Sequence, residues 1–160
     1  MIFRKAVIDD LKQIAEIERI CFPAAEAASE KSFEGRIKCC PDHFWIMEDN
    51  GRIVAFVNNM AVNQRNLTDN MYEDAYMHDK NGEWEMVLSV CTIPEYRKQG
   101  IAELLLHKMI EECRMNGRKG IVLACKDYLI HYYEKFGFID EGISESTYGN
   151  AVWHEMRITF

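Results

Sequence analysis

Residues 87–107, VLSVCTIPEYRKQGIAELLLH, constrain the fold of this chain more than any other stretch. The first half is apolar and β-branched, and it predicts a buried strand. The second half carries apolar residues at helical spacing from Gly100 onward, and it predicts a helix. Between them lies a basic turn, Arg97-Lys98-Gln99-Gly100-Ile101-Ala102. A strand feeding a turn that opens a helix leaves several backbone N–H groups without intrahelical acceptors. Those donors, with the positive end of the helix dipole, favour an anion. Gly100 and Ala102 are small enough for a phosphate to approach the backbone, and Arg97 and Lys98 add positive charge at the rim. The turn has neither the Gly-Lys-Ser/Thr of a nucleotide P-loop nor the three spaced glycines of a dinucleotide fingerprint.

The remaining pattern surrounds that unit with short elements. Strands are expected at residues 2–7, 43–47, 53–62, 83–92, 121–125, 138–143 and 151–160, with Asp49-Asn50-Gly51 as a hairpin turn. Asp9 or Asp10 offers an N-cap for a first helix, with Gln13 three residues past Asp10 as in a capping box, and its stripe is Leu11, Ile14, Ile17 and Ile20. Phe22-Pro23 stops it, and Ser29 or Ser32 is positioned to cap a second helix. The helix after the basic turn is expected to bury Ile101, Leu104, Leu105, Met109 and Cys113, and Asn116-Gly117 ends it. Asp127 is expected to cap a last helix closed by Gly137. Residues 63–82 are polar and long enough to be a binding loop or a solvated excursion. The order is mixed α/β, in a single domain spanning 1–160.

Composition removes several classes of function. Net charge is −7, contrary to the basic face that nucleic acid demands. No apolar run reaches transmembrane length and the N-terminus lacks a signal-peptide core, so no membrane partner is expected. Six cysteines without Cys-x-x-Cys spacing read as reduced thiols in a cytoplasmic protein. The five histidines show no metal-ligand pairing, so no metal is expected. Ser89 and Cys91 have no histidine base nearby in the sequence, which argues against a nucleophilic triad. Trp84 and the Phe44-Trp45 pair are candidates for an apolar pocket or for the core.

Arg-x-x-Gly-x-Ala after Pro94-Glu95-Tyr96 resembles the acetyl-CoA pyrophosphate loop of the GNAT N-acetyltransferase superfamily, with Ala102 where Gly is usual. The element order matches that superfamily along the chain. Tyr133-x-x-x-Gly137-Phe138 resembles its cofactor-flanking helix. Cys125-Lys126-Asp127, Tyr132-Tyr133, Phe22-Pro23, Cys40-Pro41 and residues 51–56 are similar to its arylalkylamine N-acetyltransferase branch. The resemblance implies a mostly antiparallel sheet of six to seven strands flanked by about four helices. It breaks where some members carry two histidines on the central strand, because Met86 and Leu88 stand there and neither accepts a proton.

The activity so implied is direct transfer of acetyl from acetyl-CoA to the primary amine of a small molecule, of arylalkylamine or polyamine type. The alternatives are a peptide or protein N-acetyltransferase and a non-catalytic acetyl-CoA sensor; a homodimer is left open. By resemblance, Val90, Cys91 and Thr92 would pair with the pantetheine arm through the backbone. Arg97, Lys98, Gln99, Gly100, Ile101 and Ala102 would hold the pyrophosphate, and an N–H near Ser89 or Val90 would face the acetyl oxygen. Tyr133 would serve the departing sulfur. An alkylammonium titrates near ~10 and must lose a proton to attack, so a base is useful. Glu85, with Glu83 as the lesser candidate, is the carboxylate expected there. Strict alternation sets both opposite Met86 and Leu88, and a β-bulge would change that.

Overall fold

A computed structural model describes residues 1–160. Seven strands form one sheet: β1 (Ile2–Lys5), β2 (Phe44–Asp49), β3 (Arg52–Val62), β4 (Trp84–Thr92), β5 (Gly120–Cys125), β6 (Ile139–Ile143) and β7 (His154–Thr159). Their spatial order is β1-β2-β3-β4-β5-β7-β6, and only the β4–β5 pair is parallel. The helices are α1 (Leu11–Cys21), α2 (Glu30–Cys39), α3 (Ile101–Met115) and α4 (Ile130–Glu134), joined by short 3-10 turns. This is the expected architecture, with strand ends shifted by a few residues. No helix is long and apolar enough to cross a membrane.

Strand alternation separates the two layers of helix. Phe44 packs on Phe33 of α2, while its neighbour Trp45 donates to Glu112 of α3 at 2.7 Å. The faces of β2 therefore point to α2 and to α3. Phe33, Phe44 and Phe56 meet with centroids 5.5–6.0 Å apart in the larger core. A second cluster, built on Met60, Met71, Trp84, Met86 and Leu88, lies on the α2 side. Both candidates for aromatic pocket walls fall here. Phe44, Trp45 and Trp84 are core residues, 0%, 1% and 7% exposed.

Local chemistry mostly follows the sequence. Asn50 and Gly51 take φ of +50° and +79°, as a two-residue hairpin turn demands. Ser29 caps α2 through Ser32 N–H at 3.1 Å. Three expectations fail for physical reasons. Asp10 does not cap α1, because Arg4 at 2.7 Å and the Val7 N–H at 2.8 Å claim its carboxylate. Asp127 makes no side-chain cap and sits within a 3-10 turn. Leu104 is 46% exposed, because the buried face of α3 runs through Leu105, Leu106, Met109 and Ile110 instead.

Two irregularities of β4 make the site. Between Asn58↔Ser89 and Asn59↔Val87 the register shifts, so Leu88 is an extra residue on β4. In addition, β4 and β5 pair only at Trp84↔Gly120, Glu85↔Ile121 and Met86↔Val122. Beyond Met86 the strands part.

Candidate active site

The parting opens a cleft lined by Val87, Leu88, Ser89 and Val90 on one strand and Leu123, Ala124 and Cys125 on the other. Backbone donors and acceptors that would bond across the sheet have no strand partner there, which is the vacancy an extended ligand can fill. The C-terminal half of α1 and the turn after it contribute Glu18, Cys21, Phe22, Pro23, Glu26 and Ala28. Tyr72 from the polar excursion, Lys126 and Tyr133 from the β5–α4 region, and Tyr148 and Trp153 from the β6–β7 connection complete the lining.

The bulge decides which side chains enter. Glu85, Val87, Ser89 and Cys91 share one parity and would point the same way in a regular strand. Glu85 opposes Ala61, on the α3 face. Ser89, past the extra residue, opposes Asn58, whose side chain bonds Arg36 of α2. Ser89 and Cys91 are thereby turned toward α1. There Glu18, only 3% exposed, accepts from Ser89 Oγ at 2.5 Å, from Cys91 Sγ at 3.3 Å and from Ala28 N–H at 2.9 Å.

Tyr133 lines the cleft, 7% exposed and packed edge-on to Tyr132. Burial pushes its phenol well above the ordinary range, with Tyr132 and Cys125 adding to the effect, so it remains a proton donor at every physiological pH.

Glu85 is not brought together with Tyr133. Its fully buried carboxylate lies on the α3 face, 2.5 Å from His43 Nδ1 and 3.4 Å from Arg118 Nε. The bulge falls after Glu85 and so leaves its alternation intact. Glu83 is exposed at the strand start and pairs with Lys119 at 2.7 Å. Sequence reasoning missed Glu18, although a signal was present. Glu18 falls four residues after Ile14, on the apolar stripe of α1, where a charge is out of pattern.

The basic turn lies at the exposed rim. Lys98 and Gly100 take φ of +61° and +80°, and α3 begins at Ile101. Left-handed residues on either side of Gln99, just before a helix N-terminus, turn N–H groups to one side, and such a nest suits a pyrophosphate. Arg97 reaches back, with Nε donating to the Thr92 carbonyl at 3.0 Å and Nη2 to Cys21 Sγ at 3.6 Å. Gln99 donates to the Glu95 carbonyl at 3.0 Å, while Ala102 is half-buried. Of residues 90–92, only Val90 lines the cleft; the Cys91 side chain is buried against Glu18. Unpaired strand edges leading toward this nest fit the length and charge of a CoA ester.

Comparison with known proteins agrees. The family model for the acetyltransferase (GNAT) family matches residues 11–138. The chain is 25% identical to the serotonin N-acetyltransferase of Mesocricetus auratus over 159 residues, covering 97% of this chain and 75% of that protein. Among solved structures, the GphF GNAT-like decarboxylase in complex with isobutyryl-CoA superposes with a TM-score of 0.81 at 19% identity, covering 99% of both chains. The ribosomal-protein-S18-alanine N-acetyltransferase of Escherichia coli gives 0.72 at 19%, covering 99% of this chain and 92% of that one. The chain belongs to the acetyltransferase (GNAT) family, and it is an N-acetyltransferase that uses acetyl-CoA as its acetyl donor.

Proposed function

We propose that the acceptor is the primary amine of a small molecule, attacking directly, with Tyr133, Ser89 and Glu18 managing the protons. The observation that carries this reading is the closure of the cleft on its acceptor side. Tyr72 and Tyr148 stack at 4.7 Å and 22°. Ser146 Oγ donates to Asp69 at 2.5 Å, and Trp153 Nε1 donates to the Tyr148 carbonyl at 2.8 Å. The polar excursion and the β6–β7 connection are thus tied over the aromatic pocket. A peptide acceptor needs an open groove. A small amine does not.

Acetyl-CoA supplies a thioester-activated acetyl group and a thiol leaving group. Residues 97–102 would hold its pyrophosphate, and the free edges of Val90 and Thr92 its pantetheine arm. The chain's own work is protonic. An ammonium entering the cleft meets the Ser89 hydroxyl, which already donates to Glu18 Oε1. Proton transfer from nitrogen to Ser89 Oγ, with the Ser89 proton passing to Glu18, leaves a neutral nucleophile. Such a relay does the base work that Met86 and Leu88 cannot. General-base assistance of this kind contributes on the order of 10²–10⁴ in rate. Tyr133, kept protonated by burial, has a proton for the departing sulfur. The six free thiols support a reducing, cytoplasmic setting.

The test is mass-spectrometric detection of product from acetyl-CoA and a pooled panel of arylalkylamines, polyamines and peptides. Acetylated arylalkylamine is expected, and Tyr133→Phe should lower turnover at least tenfold with acetyl-CoA affinity unchanged. Product from peptides alone overturns the acceptor assignment. Acetyl-CoA binding without product from any amine in the panel likewise overturns the small-amine assignment.

A further inference from the structure

We propose that Arg36 is a positioning residue for the transfer, tying the part of the polar excursion that closes the cleft to the bulge that turns Ser89 onto Glu18. This role rests on the small-amine reading above.

Arg36 belongs to α2 and is 1% exposed, and burial lowers the pKa of its guanidinium. Its hydrogen bonds go to two neutral acceptors. Nη1 donates to Asn58 Oδ1 at 3.1 Å, and Nη2 donates to the Tyr72 carbonyl at 2.5 Å. The guanidinium lies over the Phe33 ring, 4.9 Å from its centroid, and its Nε is buried with no partner. An apolar side chain of similar length would fill this volume without desolvating a charge. It could not grip acceptors on two different elements, which a rigid planar fork does. The unpartnered Nε fits a fork placed by those two acceptors rather than by saturation of its own donors.

Each acceptor belongs to a different part of the site. Asn58 opposes Ser89 in the last register pair before the shift to Asn59↔Val87. Directly opposed residues have Cβ atoms about 4.5–5.5 Å apart, so whatever fixes Asn58 bears on the direction of Ser89. Tyr72 ends the 3-10 turn Asp69–Tyr72 and stacks on Tyr148 in the cleft lining. Its neighbour Met71 is buried in the second apolar cluster, which keeps the segment docked without Arg36. Met71 sets where the segment lies, and Arg36 sets how the Tyr72 carbonyl is held against β3. One rigid group thus joins the ring stack on the acceptor side to the irregularity that builds the proton relay.

The experiment uses Arg36→Met and Arg36→Lys in the intact protein. Without ligand, hydrogen exchange at the Met71, Glu73 and Asp74 amides, which bond within the turn, should quicken at least tenfold in Arg36→Met, with α3 amides within twofold of the parent. With acetyl-CoA and phenethylamine, kcat should fall and KM rise in the folded variant, lowering kcat/KM at least tenfold. Acetyl-CoA affinity by calorimetry should stay within threefold. Arg36→Lys keeps the charge without the fork, so it should remain at least fivefold below the parent, and it carries both readouts if the Met variant does not fold. Tyr148→Leu removes the other half of the stack, so the double variant with Arg36→Met should have a KM within threefold of Arg36→Met alone. Unchanged exchange at residues 71–74, a folded Met variant within threefold of the parent kcat/KM, a Lys variant equal to the parent, or fully additive KM effects each overturns the positioning role while leaving the amine reading intact. Quickened exchange with product from peptides alone overturns the small-amine reading and retains the tether.

Discussion

Glu18→Gln tests the proton path most directly. The carboxylate receives Ser89 Oγ, Cys91 Sγ and Ala28 N–H while almost fully buried. Glutamine has the same volume and can keep the Ala28 bond through its carbonyl. Its NH2 then faces Ser89, whose hydroxyl can rotate to accept. Hydrogen bonds to a charge are worth about 1.5–3 kcal/mol and neutral ones about 0.5–1.5, so the exchange costs roughly 2–3 kcal/mol in total. At about 2–4 °C per kcal/mol for a chain of this size, Tm should fall by roughly 5–10 °C and the variant should still fold. The chemical loss is larger. Removing the proton acceptor should lower kcat by about 10²–10⁴ at pH 7, which is roughly 3–5 kcal/mol in the barrier. The deficit should shrink toward pH 10, where the amine loses its own proton near ~10. The assay is product formation by mass spectrometry from pH 6 to 10, with acetyl-CoA affinity measured alongside and expected within threefold of the parent. A folded variant within fivefold of the parent kcat at pH 7, or a deficit constant to pH 10, refutes the relay and leaves Glu18 a structural carboxylate.

Three further outcomes are expected. Gly100→Glu puts a side chain on a φ of +80° and a negative charge at the nest, so acetyl-CoA affinity should drop at least 30-fold by calorimetry; normal binding by the folded variant removes the turn from the cofactor site. The neighbouring Cys91 thiol lowers the Cys21 thiol pKa to about 6 against its burial, and Arg97, which donates to its sulfur, lowers it further. Iodoacetamide at pH 7 should therefore modify Cys21 before the buried Cys40, Cys91, Cys113 and Cys125, and acetyl-CoA should slow it, as peptide mapping would reveal. Burial pushes Asp10 up, but the Arg4 and Val7 hydrogen bonds outweigh it and leave its pKa lowered. Its contribution to stability is thus present above the unfolded value near ~3.9 and is lost as pH falls through the folded value. Arg4→Met should lower Tm at pH 7, and the difference from the parent should narrow in acid; a gap independent of pH contradicts that account.

The parts of the fold that were legible in the sequence are those set by neighbours along the chain. The strand–turn–helix at Gly100, the Asn50-Gly51 hairpin and the Ser29 cap each need only a few adjacent residues. The Gly137-Phe138 context drew attention to Tyr133, which lines the cleft. What escaped depends on distant partners. The Glu85–His43 contact spans 42 positions, and the Glu18–Ser89 contact spans 71. The extra residue at Leu88 has no mark of its own, because every residue around it is compatible with a regular strand. Yet it alone decides that Ser89 meets Glu18 while Glu85 does not. Trp153 belongs to the cleft only because β7 is inserted between β5 and β6.

The three-pair junction between β4 and β5 also has a thermal consequence. The sheet is effectively two plates riveted at one end, with β1–β4 on one and β5–β7 on the other. A cofactor arm lying in the gap acts as a removable set of rungs. At one hundred times its Kd, a ligand that binds only the folded chain adds about 2.7 kcal/mol, or roughly 5–10 °C in Tm at this size. With the cofactor scarce the joint should loosen, and the exchange of the residue 87–90 amides that face the gap should slow as acetyl-CoA is added.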